Sequence, residues 1–167
     1  MVIIGGTLGV LLFVPSVSAG SRKEHPYRYS IVDMPVSLAV GTVRTPEFSP
    51  ATHAYWIMIQ VERPLPFLQM RCMMGTTMGP LDSKDCGNND PLLRADWTVW
   101  SGEHVVAQGS IPERCACMSD DKYIFKFLGG FPAETRTKYV VEVKFTKDGT
   151  PLNIANPHLI VIKVGEE

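Results

Sequence analysis

Apolar and polar residues alternate singly in one segment of the chain after another. Tyr55, Ile57, Ile59 and Val61 interleave with Trp56, Met58, Gln60 and Glu62, the period-two pattern of a strand with one face turned to a core. Leu93, Ala95, Trp97 and Val99 interleave in the same way with Arg94, Asp96, Thr98 and Trp100. Ser101-Gly102 then predicts a tight turn into a strand over His104–Ser110, which makes a hairpin. Further on, Tyr123–Leu128 runs to a glycine turn at Gly129-Gly130. Tyr139, Val141, Val143 and Phe145 alternate as far as the turn signal Asp148-Gly149, and a last strand falls at Leu159–Val164. Earlier strands are expected over Tyr29–Asp33 and Val36–Val43. Seven or eight short strands with turns between them predict an all-β, two-sheet antiparallel sandwich.

One stretch breaks the alternation. Phe67–Met74 follows Pro64 and Pro66 and stops at Gly75, the punctuation of a helix of about two turns. Thr76–Asp90, rich in Gly, Asn, Asp and Ser, is expected to be a loop. Strand alternation also marks a candidate binding surface. If Tyr55, Ile57, Ile59, Leu93, Trp97 and Val99 face the core, then Trp56, Met58 and Trp100 face away from it, and an outward tryptophan among apolar neighbours suits a protein or sugar partner. The competing expectation is that the 67–74 helix lies over this surface, because its methionines need something to pack on.

The N-terminal segment has a different pattern. Val2–Val14 is an apolar run, followed by Pro15 and the small residues Val17-Ser18-Ala19, as in a secretory signal peptide cleaved after Ala19. Arg22 and Lys23 come after the run and none precedes it, so the expected start of the precursor lies upstream of Met1. Glycines at 5, 6 and 9 and Pro15 leave fewer apolar residues than the ~20 of a membrane span. The expected organisation is a signal peptide over 1–19 and one sandwich domain over 20–167, located in the periplasm or secreted, with no stable membrane insertion after cleavage.

The order of elements after Trp97–Ser101 is a hairpin partner, a variable loop, Tyr123-Ile124-Phe125-Lys126-Phe127-Leu128, a glycine turn, the strand Lys138–Thr146, and a terminal strand after Pro157. With the Tyr55–Val61 strand and the helix after it, this resembles small exported proteobacterial sandwich proteins of unassigned function. The resemblance covers about residues 27 to 164. It implies an immunoglobulin-like architecture and supplies no active-site residues.

Composition narrows the partners. A formal net charge of −1 over 167 residues provides no basic surface for nucleic acid or an anionic membrane. The cysteines are Cys72, Cys86, Cys115 and Cys117, and in an oxidising compartment an even number argues for disulfides. Closing Cys72 to Cys86 would staple the 76–90 loop with a ring of about fifteen residues, worth about 3 kcal/mol. It would leave Cys115 with Cys117, a strained ring across one residue. Pairing Cys72 and Cys86 each with one of Cys115 and Cys117 avoids that strain and is the preferred arrangement, at near parity with the first.

Two chemical alternatives use the same sulfurs. Met70, Cys72 and Met73 at helical spacing form a soft donor set suited to Cu(I), against the plainer role of core packing by methionine. His25, His53, His104 and His158 are scattered singly and add no ligand cluster. Cys115-Ala116-Cys117 could act as a dithiol in a thiol oxidoreductase, but Glu113, Asp120 and Asp121 nearby oppose a thiolate. No G-x-S-x-G, H-E-x-x-H, G-x-G-x-x-G or phosphate-binding glycine loop occurs. The sequence therefore points to an exported binding or interaction protein, with no cofactor and not an enzyme. Its partner is expected to be another envelope or delivered protein, a peptide or a glycan, and one form of this is an immunity-type protein.

Overall fold

The computed structural model describes residues 30–75, 86, 90–111 and 117–164. The expected signal segment 1–19 lies outside them. Among the described residues there are nine strands and an eight-residue helix, α1 (Phe67–Met74). The strands are β1 (Ser30–Pro35), β2 (Gly41–Arg44), β3 (Ala54–Glu62), β4 (Ala95–Ser101), β5 (His104–Ser110), β6 (Cys117–Ser119), β7 (Tyr123–Pro132), β8 (Val140–Phe145) and β9 (His158–Lys163). A five-stranded sheet in the order β1-β9-β3-β7-β6 faces a four-stranded sheet in the order β2-β8-β4-β5. All the pairings are antiparallel. The expected all-β sandwich is the observed one, with β6 as an added strand too short to show an alternation.

The period-two pattern places its apolar set between the sheets. Tyr55, Ile57, Ile59 and Val61 of β3 share one core with Trp97 and Val99 of β4 and with Val141, Val143 and Phe145 of β8. Each strand contributes every second side chain, as the pleat requires. At the start of β3, the rings of Phe48, Tyr55, Phe131 and Tyr139 pack with centroids 5.7 to 6.5 Å apart. Their polar tips are satisfied locally: the Tyr55 hydroxyl accepts the Ala51 N–H at 2.8 Å, and the Tyr139 hydroxyl accepts the Glu134 N–H at 3.0 Å. α1 follows the other end of β3. Its N-terminus has no side-chain cap, and at its C-terminus Gly75 takes the left-handed conformation (φ 68°) and donates to the Cys72 carbonyl.

Three boundaries differ from the alternation-based expectation. Val36–Val43 is not one strand: the chain leaves the first sheet after Pro35 and enters the second at Gly41. Leu38, fully buried on the way, plugs the core from the crossing. Gly129-Gly130 does not end a strand, because β7 continues through both glycines to Pro132. The reason is space. A Cβ on Gly129 would sit 2.1 Å from Cζ2 of Trp97, and one on Gly109 would sit 2.8 Å from the same atom. The indole of β4 thus lies across the backbones of β5 and β7, where the two sheets approach each other. Leu128 has no partner opposite it, since Ile57 pairs with Gly129 and Met58 with Phe127, and this bulge turns β7 toward Trp97. Finally, Asp148-Gly149 leads into a 3₁₀ helix over Thr150–Ala155 that carries the chain from the second sheet back to the first.

Candidate functional site

The three outward residues singled out by alternation fall on opposite sides of the sandwich. Trp56 and Met58 lie on the outer face of the five-stranded sheet, and Trp100 on the outer face of the four-stranded one. They cannot form one surface. α1 covers neither face, contrary to the expectation that it would, because its methionines have a better destination. Met70 and Met74 are fully buried in the main core between the sheets.

The outer face of the five-stranded sheet carries a second apolar cluster, separate from the core. Met58, Phe125, Ile160 and Ile162 are buried in it, with Tyr123 and Phe127 packed against them. Register explains the grouping: Met58 lies opposite Phe127 on one side and Ile160 on the other, Trp56 lies opposite Ile162, and Phe125 lies opposite Met118. Met58 is 1 % exposed, whereas Trp56 beside it is 36 % exposed and Met118 at the edge is 41 % exposed. The Trp56 indole meets the Phe127 ring edge-on at 5.8 Å, and Gly130 makes room for it, since a Cβ there would sit 3.2 Å from Trp56 Cδ1. At the rim, His158 Nδ1 and Asp33 Oδ1 are 2.6 Å apart. Burial, reinforced by the Glu62 carboxylate, pushes the Tyr123 phenol above its usual value, so it remains a neutral hydroxyl.

Trp100 sits in a different setting. Its neighbours across the ladder are Val105 and Val140, and its Nε1 is buried with no acceptor among the described residues. The rest of that face is polar: Asp96 accepts from the Ser110 hydroxyl at 2.6 Å, and Arg44 faces Glu142 at 3.4 Å.

α1 borders a groove of 560 Å³ lined by Leu68, Gln69, Cys72, Met73, Asp90 and Leu92, among others. Its far wall is held by ions. The Asp90 carboxylate accepts from Arg94 at 2.6 Å and Lys147 at 2.9 Å, and Lys147 also donates to the Pro91 carbonyl at 2.8 Å. The Lys147 hydrogen bond first, and then that from Arg94, hold the Asp90 carboxyl below its ordinary 3.8.

Cys72 is bonded to Cys86, with Cα atoms 5.3 Å apart. This overturns the preferred crossed pairing. The staple across the 76–90 loop is the one that forms, because Cys72 in the last turn of α1 and Cys86 are neighbours in space. Cys115 lies outside the described residues, as does the side chain of Cys117. The bond also leaves no Cys72 thiolate for Cu(I), and Met70 is sealed in the core, so the Met70, Cys72 and Met73 set does not converge. Among the described residues, no group of three or more His, Cys, Asp and Glu is placed to hold a metal ion.

Lys126 stands outside the alternation of apolar and polar positions. It is 0 % exposed, and its Nζ donates to the Gly75 carbonyl at 2.8 Å, at the end of α1. The signal was present in the sequence: Ile124, Lys126 and Leu128 share one phase, so a lysine occupies an apolar register and needs a buried acceptor. Phe67, at the start of α1, is a second such position. Its ring has the Arg63 guanidinium at 4.6 Å and that of Arg71 at 5.3 Å, while Arg63 also donates to the Asp120 carbonyl at 2.9 Å.

No family model matches the chain, and no curated protein matches it either. A crystal structure of a protein from Sulfurospirillum deleyianum is similar, with a TM-score of 0.58 at 10 % identity, covering 81 % of this chain and 98 % of that one. At that identity the likeness concerns the fold alone.

Proposed function

We propose that this chain is an exported interaction protein that works by binding, not catalysis, and that its contact surface is the outer face of the five-stranded sheet around Trp56. The observation that carries this reading is the apolar cluster Met58, Phe125, Phe127, Ile160 and Ile162, topped by a tryptophan more than a third exposed. Met58, Phe125, Ile160 and Ile162 are at most 4 % exposed, so they form the packed bed, and what this face offers a partner is the exposed part of Trp56 and Met118 above it. The exposed edges of Trp56 and Met118 supply anchor groups of the kind that dominate protein interfaces. Side chains that stand out from a sheet suit a protein surface better than a small molecule, which prefers a concavity. The partner is another envelope or delivered protein, and an immunity-type role is one concrete form. The Cys72–Cys86 bond fits an oxidising compartment, and no described helix is long and apolar enough to cross a membrane.

A photo-cross-linking residue at position 118, which leaves Trp56 in place on the same face, tests this in the exporting cell, with the same residue at Thr98 on the opposite face as control. A discrete adduct from position 118 alone is expected. Equal labelling from both positions, or none from 118, overturns the assignment of the face. Mass analysis of the exported chain checks the compartment separately, with Gly20 expected as its first residue.

A further inference from the structure

We propose that the Cys72–Cys86 disulfide is a redox latch on α1: its reduction releases the helix and dismantles the adjoining groove while both sheets stay folded. The reasoning starts from how little else holds the helix. An eight-residue helix is too short to persist on its own in water, and α1 has neither a side-chain N-cap nor an acidic residue in its first turn. Its backbone runs closely alongside none of the strands.

What remains is side-chain packing and a few hydrogen bonds. Met70 and Met74 reach into the core with Phe67 and Met73 packed against it, Arg71 is buried beside the Phe67 ring, Leu92 N–H donates to the Met73 carbonyl at 2.8 Å, and Lys126 Nζ donates to the Gly75 carbonyl at 2.8 Å. The covalent tie at Cys72, which lines the groove, joins the last turn of the helix to position 86. The sandwich core beyond α1, in contrast, is built by the strands themselves. Elements with few packing contacts open locally at far lower cost than the core, so the covalent tie matters most at α1.

The bond is also accessible. Cys72 and Cys86 are both half-buried, and Cys72 lines the open groove, which gives a thiolate a path to the bond; access is one of the things that set the rate of exchange. The chemistry is ordinary exchange with a dithiol. One thiolate of the dithiol attacks a cysteine sulfur, the Sγ–Sγ bond breaks, and the other cysteine leaves as a thiolate and takes up a proton. The second dithiol sulfur then displaces the first cysteine, which is protonated in turn. The dithiol departs as a cyclic disulfide, having supplied two electrons.

Hydrogen exchange on the full chain, with and without dithiothreitol, tests the latch. Exchange over 67–75 and 90–92 should rise on the order of a hundredfold on reduction, the worth of closing a ring of about fifteen residues, while β3, β7, β8 and β9 are unchanged. The Cys72→Ser, Cys86→Ser double variant without reductant should reproduce that pattern, which separates this bond from any effect at Cys115 and Cys117. A rise in the strands in step with α1 would overturn the proposal, because the bond would then be a global staple. Unchanged exchange at α1 overturns it too, as does a double variant that fails to fold.

Discussion

The two outer faces of the sandwich are both made of antiparallel strands, yet they differ in kind. On the four-stranded sheet, the outward positions of β4 and β8 are Asp96, Thr98 and Trp100, and Val140, Glu142 and Lys144. There the polar groups pair with one another at the surface, as Arg44 does with Glu142 and Ser110 with Asp96. On the five-stranded sheet, the outward positions of β3, β7 and β9 include Trp56, Met58, Phe125, Phe127, Ile160 and Ile162, and most of them are buried. One face is therefore mostly polar, with Trp100, Val105 and Val140 as an apolar island at one end, and the other is a second core. The contrast teaches that alternation locates the two sides of a strand but not which side is polar. Strands such as β9, where Leu159, Ile160, Val161 and Ile162 are all buried, are apolar on both sides.

The largest effect expected from this contrast is that of a charge placed on each face. Met58→Lys puts an ammonium among Phe127, Ile160 and Ile162 and should cost about 4 kcal/mol or prevent folding. Thr98→Lys, beside Glu142 on the opposite face, should change stability by under about 0.5 kcal/mol. Urea melts of the two variants decide it: similar losses would mean that the faces do not differ. Phe125→Ala comes next. It removes a fully buried ring from the outer cluster, and about 3 to 5 kcal/mol is expected from the cavity; a loss below ~1 kcal/mol in the same melts would mean the cluster collapses freely and contributes little.

Trp56→Ala should have a smaller effect on folding, about 1 kcal/mol, because the ring is more than a third exposed. Its effect on partner cross-linking, read from a probe at Met118, should be near-complete loss. Retained cross-linking with Trp56 removed would move the anchor elsewhere on the face. The smallest effect belongs to the polar rim of the groove. The Asp90 carboxyl is held below its ordinary value by Lys147 and Arg94, so its contribution is present above pH 3.8 and is lost as the pH falls through the lowered value. Asp90→Asn should flatten the acid limb of a stability–pH profile slightly, and an unchanged limb would show that the two ion pairs are fully screened.

Part of this molecule was legible in particular residues. Tyr55 to Glu62 announces β3 and which of its residues face the core, and Pro66 and Gly75 bracket α1 to the residue, because backbone restrictions at proline and glycine act locally. The outward position of Trp56 follows from the same period. The outer cluster was half visible: Met58 could be placed beside Trp56, but Phe125, Phe127, Ile160 and Ile162 join them only through the pairing of β3 with β7 and β9. Trp100 was grouped with them because alternation does not say to which sheet a strand belongs.

What the sequence determined by itself is therefore the local repertoire: strand period, turn positions, one helix and the side each residue takes, all of which depend on contacts within a few residues. Tertiary structure alone decided strand order, the continuation of β7 beneath the Trp97 ring, the Cys72–Cys86 partnership, the burial of Lys126 at the end of α1, and the character of each outer face. These depend on groups far apart in the chain competing for one space, and a one-dimensional pattern does not record which of them meet.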